Sequence, residues 1–199
     1  MSYDQIYKHK NVWGDKPNPL LRKVFSQLEP GSEFLDLGCG QGRDALFMLQ
    51  NGFKVTAIDN SREGIKKILE AMAKNNLPAK KMTLLCQDIA NFKIEENKYA
   101  TINSYNVLHF LTKKDAVWII GEIKQAVKSG GHVIIACSFI QKPLAENNQH
   151  CYVGAGELGK AFSDFKIILY EERVTEDKGH AGSPEPHQHN VVKMIARKK

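Results

Sequence analysis

Apolar positions along this chain fall into two alternating kinds of run, short continuous ones and longer ones at helical spacing. The short runs are EFLDL (33–37), KVTAID (54–59), MTLLCQD (82–88), YATINSY (99–105) and HVIIACSF (132–139). They are too short for helices and rich in β-branched residues, so they predict strands buried on both faces. Between the second and third, Ser61 is placed to cap REGIKKILEAMAKNN, where Ile65, Ile68, Leu69 and Met72 recur at helical spacing before Asn-Asn-Leu-Pro ends the run. Between the fourth and fifth, Thr112 and Asp115 have capping-box spacing before AVWIIGEIKQAVK, and Ser129-Gly130-Gly131 is expected to stop that helix. A polar loop, a short helical stretch at GELGKAF and two more strands, FKIILYEERV (165–174) and HNVVKMIAR (189–197), complete the pattern. Strands alternating with helices predict an α/β domain around a mainly parallel sheet of seven strands.

The chain has 199 residues, 42% hydrophobic and 25% charged, which suits one domain, with 1–30 as an amino-terminal cap segment and 31–199 as the core. Its polar start and the lack of any apolar run near the roughly 20 residues that span a bilayer predict a cytoplasmic protein with no membrane partner. Cys39, Cys86, Cys137 and Cys151 form no close pair, and Cys86 and Cys137 lie in apolar runs as small core residues, so reduced thiols are expected. The formal charge of +6 and a pI of about 9.0 raise the question of an anionic partner. The lysines, however, occur as scattered pairs (Lys66-Lys67, Lys80-Lys81, Lys113-Lys114) without interleaved aromatics, the pattern of solvated helix faces. Nucleic acid is therefore an unlikely partner, and the oligomeric state is open.

The first strand runs into DLGCGQGRDALF, a glycine turn followed by a helix start. Such a turn presents backbone N–H groups and the positive end of a helix to a ligand. It fits neither of the best-known phosphate loops. Counted from Gly38 and Gly40, the third glycine of G-x-G-x-x-G is replaced by Arg43, with Gly42 one residue early, and G-x-x-x-x-G-K-[ST] is absent. Asp59 ends the second strand, where a carboxylate can accept both ribose hydroxyls, and Asp88 ends the third, where an acceptor suits an exocyclic amine. Alone, each acid is equally compatible with satisfying backbone donors at a strand end. Together they imply an adenosine with a short charged arm and no pyrophosphate.

The ordered segments FLDLGCGQGRDALF, VTAIDNS, LLCQDI, TINSYNVLHFL and KSGGHVII resemble the class I S-adenosylmethionine-dependent methyltransferases over most of residues 5–199. Within them, YDQIYKHKNVWGDKPNP, CGQGRDALF and the GHAG…VVKMIARKK ending are most similar to the TehB-like, tellurite-resistance type. The resemblance implies a Rossmann-like, doubly wound fold whose last strand is antiparallel, with S-adenosyl-L-methionine as cofactor. It places Gly38 and Gly40 beside the methionine moiety, with Asp36 shaping the turn and Arg43 following it. Asp59 would hold the ribose, Asn60 would flank the adenine, and Asp88 with the Ile89 N–H would meet the base. Asn103 and Tyr105 would close the methyl-donor end, with His109 just beyond.

The acceptor is expected to be small. Asn103-Ser104-Tyr105-Asn106 stands where amino-methylating nucleic-acid enzymes carry [DN]-P-P-[YF], and no added recognition domain is visible. Trp118 reads as core, while Trp13 is a candidate cover for the site. Histidines crowd the last third, at His150, His180, His187 and His189. His187 and His189 would share a strand face, yet the set matches no closed zinc spacing, so no metal is expected. The segment TEDKGHAGSPEPHQ, rich in Gly, Pro and His, reads as a surface loop or a site rim; the resemblance implies the rim, with His180 and His187 near the acceptor. A sulfonium methyl is already activated, so the chain would mainly align and desolvate the acceptor. A metalloid oxyanion such as selenite or tellurite, or a thiolate, needs no base; a protonated acceptor would use His109 or His180 as one. An RNA or protein methyltransferase, and a catalytically silent cofactor-binding module, remain the alternative readings.

Overall fold

The computed structural model describes residues 3–9, 11–140, 153–178 and 185–199. In chain order the elements are α1 (Tyr3–His9), α2 (Pro19–Val24), β1 (Glu33–Leu37), α3 (Arg43–Gln50), β2 (Lys54–Asp59), α4 (Arg62–Lys74), β3 (Met82–Cys86), β4 (Tyr99–Tyr105), α5 (Lys113–Ala126), β5 (Val127–Ile140), β6 (Val153–Gly154), α6 (Glu157–Ala161), β7 (Lys166–Asp177) and β8 (His187–Arg197). The sheet order is β3-β2-β1-β4-β5-β8-β7, with the two-residue β6 paired to β5 off that path. β3, β2, β1, β4 and β5 run parallel, and β8 is inserted antiparallel between β5 and β7. The expected α/β architecture, seven main strands with an antiparallel last one, is what the backbone forms.

Successive residues of the central strands point to opposite faces, which is why the apolar runs are continuous. Phe34, Ile134 and Ile195 pack with Leu21, Met48 and Ile68 on one face, and Leu35, Ile135 and Met194 pack with Ile119, Ile123 and Phe162 on the other. The caps form as expected: Gly64 N–H donates to Ser61 Oγ at 3.0 Å and Asp115 N–H to Thr112 Oγ1 at 3.2 Å. No described helix is long and apolar enough to cross a membrane.

Four expectations are corrected. α5 begins at Lys113 and ends at Ala126, and Ser129-Gly130-Gly131 lies inside β5 rather than beyond a helix end. Val127 is already extended at ψ 134°, and a Cβ on Gly131 would stand 2.9 Å from the Ala100 carbonyl oxygen, so this glycine serves the close approach of β5 to β4. Trp118 is 37% exposed, because the buried stripe of α5 is Ala116, Ile119, Glu122, Ile123 and Ala126, beside it. Leu69 is exposed for the same reason on α4, where Ile68 and Met72 face inward. Cys86 is exposed at the end of edge strand β3, whereas Cys137 is buried.

The order reverses between β1 and β4, one connection going towards β2 and the other towards β5. In open α/β sheets a crevice forms at that point, outside the carboxyl ends of the strands.

Candidate cofactor site

The crevice at the β1/β4 switch holds a cavity of about 500 Å³, within the size range of small-molecule sites. Its back is the glycine turn. Gly38 and Cys39 N–H groups both donate to the Ile58 carbonyl, at 2.8 and 2.9 Å, tying the turn to β2. Gly38 has φ +68°, and a Cβ there would lie 2.3 Å from Val107 Cγ2. Gly40 has φ +54°, and its Cβ would lie 2.8 Å from the Tyr7 hydroxyl. Both positions therefore need a left-handed backbone and a missing side chain, so that the chain passes close to whatever occupies the cavity.

Asp59, expected to hold a ribose, braces this turn. Its Oδ2 accepts the Gly40 N–H at 2.7 Å and its Oδ1 the Ser61 N–H at 2.8 Å. Burial raises its pKa, and the two backbone donors oppose that rise. Each carboxylate oxygen has further lone-pair capacity toward the cavity. Asp88 is exposed at the rim, where its Oδ1 accepts the Ala90 N–H at 3.0 Å and caps the single turn Ile89–Asn91; Asn60 and Ile89 line the same stretch.

The floor is a buried polar cluster. Asp36 accepts one amide hydrogen bond, from Asn103 Nδ2 at 2.8 Å. Its pKa is pushed up to about 8, first by burial and then by the negative Asp44, with the Asn103 amide and the Arg43 guanidinium pulling the other way. Arg43 donates to both Asp44 oxygens, at 3.3 and 3.1 Å, and its guanidinium lies over the Tyr105 ring, 5.3 Å from the centroid. Asn18 joins Asp44 and Asn103 from behind. Neither Asn18 nor Asp44 was singled out from sequence. The available signals were an Asn before Pro19, a helix-capping pair, and an acid in the first turn of α3.

The mouth is covered from the amino-terminal side, where the sequence reading set a cap segment over 1–30 but singled out only Trp13 within it. Asp4 Oδ1 accepts the Ser61 hydroxyl at 2.8 Å and the Glu63 N–H at 3.0 Å, pinning α1 to the start of α4. Those donors hold the Asp4 pKa below its usual value. Tyr3 and Tyr7 are thereby set against the cavity; Trp13 Nε1 donates to the Tyr7 hydroxyl at 3.2 Å, and the Tyr3 ring meets Phe110 edge-on at 5.5 Å.

Asp36, Gly38, Gly40, Arg43, Asp59, Asn60, Asp88, Ile89, Asn103, Tyr105 and Trp13 all meet at this one cavity. His109 does not line it: the wall passes through Val107, Phe110 and Leu111. The His109 ring packs on Phe110 at 4.2 Å, and its Nδ1 faces the Ser138 N–H at 3.4 Å. His180 lies outside the described residues, as do His150 and Cys151, and His187 is described only as the first residue of β8. Among the described residues no three His, Cys, Asp or Glu side chains form a metal-holding group.

Residues 14–193 match the model of the family described as tellurite resistance protein TehB. The chain is 29% identical over 166 residues to a Haemophilus influenzae protein described as "Probable S-adenosyl-L-methionine-dependent methyltransferase TehB", covering 83% of this chain and 57% of that one. It is 26% identical over 193 residues to "Hemagglutinin 1" of Eikenella corrodens, covering 96% of this chain and 63% of that one. The crystal structure of TehB from H. influenzae superposes with a TM-score of 0.78 at 26% identity, covering 99% of this chain and 66% of that one. A Burkholderia thailandensis 1,6-didemethyltoxoflavin-N1-methyltransferase, solved with S-adenosylhomocysteine, shares the fold at a TM-score of 0.67 and 17% identity, over 92% of this chain and 77% of that one. The chain thus spans 57% to 63% of the length of these two curated relatives.

Proposed function

The chain belongs to the TehB family, and from that premise we propose that it is an S-adenosylmethionine-dependent methyltransferase acting on a small-molecule acceptor. The observation that carries this reading is the convergence of a cradle open only to glycine, a strand-end carboxylate and a buried acid–amide floor on one cavity at the sheet's switch point. The residues suit the cofactor's parts. Asp59 has acceptor capacity for the ribose hydroxyls, and Asp88 for an adenine amine beside Ile89. Asp36, a carboxyl made costly to ionise by burial, gains a counter-charge from an ammonium, and Arg43 offers its remaining donors to a carboxylate.

The cofactor supplies an activated methyl on a sulfonium. The chain's contribution is orientation and exclusion of water. The Gly38–Gly40 turn fixes one side, and Tyr3, Tyr7, Trp13 and Phe110 close the mouth with apolar surface. Burial pushes the Tyr7 phenol up, which keeps it neutral. Among the described residues the wall between Val107 and Leu111 carries no imidazole; a thiolate, or the lone pair of selenite or tellurite, to which the family description points, needs none, and a protonated acceptor would draw on His180. His180 and His187 remain the candidates for the acceptor rim. The experiment is release of S-adenosylhomocysteine from S-adenosylmethionine, with selenite, tellurite and organic thiols offered in turn. Release with at least one of them is expected. Binding of the cofactor without turnover of any acceptor, RNA and protein included, would leave only a binding module.

A further inference from the structure

We propose that Asn18 is a positioning residue for the cofactor site: it sets the direction of the Asn103 amide and so keeps a donor on Asp36, without meeting the ligand itself. Asn18 is fully buried, 0% exposed, and is not part of the cavity wall. Its Oδ1 accepts the Leu21 N–H at 2.8 Å, capping α2. That cap settles which way the amide faces, because only an oxygen can accept from the helix N–H. Its Nδ2 must then point the other way, where it donates to Asp44 Oδ2 at 2.9 Å and to Asn103 Oδ1 at 3.1 Å, while the Asn18 backbone N–H donates to Asp44 Oδ1 at 2.7 Å.

The direction passes on. With its Oδ1 held by Asn18, Asn103 turns its Nδ2 to Asp36 Oδ1 at 2.8 Å and to Asp44 Oδ2 at 3.3 Å. The reverse orientation of Asn103 would set its carbonyl oxygen against the Asp44 carboxyl oxygen and its Nδ2 against the Asn18 Nδ2, two donors facing each other. A helix cap in the amino-terminal segment thus orients, through two amides, the one hydrogen bond that Asp36 receives from the described residues. The charged and titratable groups facing Asp36 are Asp44 and Arg43 from α3, Asp59 from β2 and Cys39 from the turn, with Tyr105 of β4 beside the Arg43–Asp44 pair. Asp44 and Asp59 oppose ionisation of Asp36, and Arg43 and the Asn103 amide favour it. Without the Asn18 side chain the Asn103 amide is free to turn, Asp44 loses the Nδ2 donor while keeping the backbone one, and the Asp36 carboxyl keeps its proton to higher pH.

For the ligand, the inference rests on the reading that Asp36 serves the ammonium of the cofactor. Asn18→Asp keeps the shape and the cap oxygen but replaces the donor with a carboxylate; Asn18→Ser keeps only a cap oxygen and carries the test if the first variant does not fold. S-adenosylhomocysteine binding is measured by calorimetry from about pH 6 to about pH 9, as the ratio of variant to wild type, so that the ligand's own ionisation cancels. The expected deficit is about tenfold near pH 7, shrinking to about twofold near pH 9 as Asp36 ionises in the variant too. In an Asp36→Asn background the effect of Asn18→Ser, which adds no titrating group of its own, should lose its pH dependence. A deficit constant with pH, or none, overturns the proposal. Thermal unfolding of the ligand-free protein against pH reads the same coupling without the cofactor. There Asn18→Ser, which adds no titrating group, should extend the acid-favoured stability of Asp36 to higher pH, and an unchanged profile overturns the proposal. If wild type binds no S-adenosylhomocysteine, the proposed function falls while this profile still decides the role of Asn18.

Discussion

Asp36 and Asp59 lie near the carboxyl ends of adjacent parallel strands and face one cavity, yet they are held in opposite ways. Asp59, at the rim, is fastened by two backbone N–H groups, from Gly40 and Ser61, so the ligand-facing carboxylate is also a strut of the turn. Asp36, on the floor, receives one side-chain amide and faces a second buried acid, Asp44. The rim is therefore a place where binding and stability share the same bonds. On the floor they compete: a charge that is costly in the empty protein becomes useful when a cation arrives.

The largest expected effect comes from the part of the rim with least freedom. Gly38→Ala forces a side chain at φ +68° into Val107, and is expected to cost about 2–4 kcal/mol of stability and to abolish detectable binding of S-adenosylhomocysteine in calorimetry. Adding Val107→Ala should recover only part, since the backbone strain remains; full recovery would mean that the close approach alone matters.

Next is Asp59→Ala, which should lower both quantities together: cofactor affinity by about 1.5–3 kcal/mol and the unfolding free energy by about 1–3 kcal/mol, because two backbone donors lose their acceptor. Unchanged affinity in the variant would remove Asp59 from the site. Asp36→Asn should separate the two quantities. The folded protein holds the Asp36 proton up to about 8 against 3.8 as the ordinary value. Across that window the folded state binds more protons than the unfolded one, so this group's stability contribution is full below the lower value and is lost as pH rises through the upper one. Asparagine removes that slope. Near pH 8 the ligand-free variant should be more stable by about 1–2 kcal/mol, while its affinity for S-adenosylhomocysteine falls about tenfold. A variant that loses stability at every pH would show Asp36 to be a strut like Asp59. The smallest effect expected is at the basic surface: non-specific RNA should bind no better than about 10⁻⁴ to 10⁻⁶ M at physiological salt, and a sub-micromolar complex would favour the RNA-modifying alternative.

The contrast also explains what could be read from the chain. Rim residues announce themselves locally: glycines at alternate positions after an apolar run, and Asp59 and Asp88 at strand ends. The alternation of runs gives the α/β class and the strands themselves, whereas the doubly wound order with its antiparallel last strand came with the resemblance and is set by tertiary pairing. The floor depends on residues far apart in sequence. Asn18 meets Asp44 and Asn103 only through tertiary packing, and a helix-cap signal carries no hint of that second duty. The mouth was legible only in part, because Asp4 caps α4 from a different helix. Trp118 shows the limit of periodicity: a helix with an apolar majority does not say which of its large side chains stands beside the buried stripe. His109 was placed by resemblance one residue from the true wall, and in a single turn of chain one residue changes the direction in which a side chain points.

The most direct test of the central claim is a calorimetric titration of S-adenosylmethionine into the purified chain, with NADH as the competing ligand of a glycine turn. Saturable one-to-one binding of S-adenosylmethionine, with no comparable heat from NADH, is the predicted result. No saturable binding of S-adenosylmethionine, or tight binding of NADH, would contradict it.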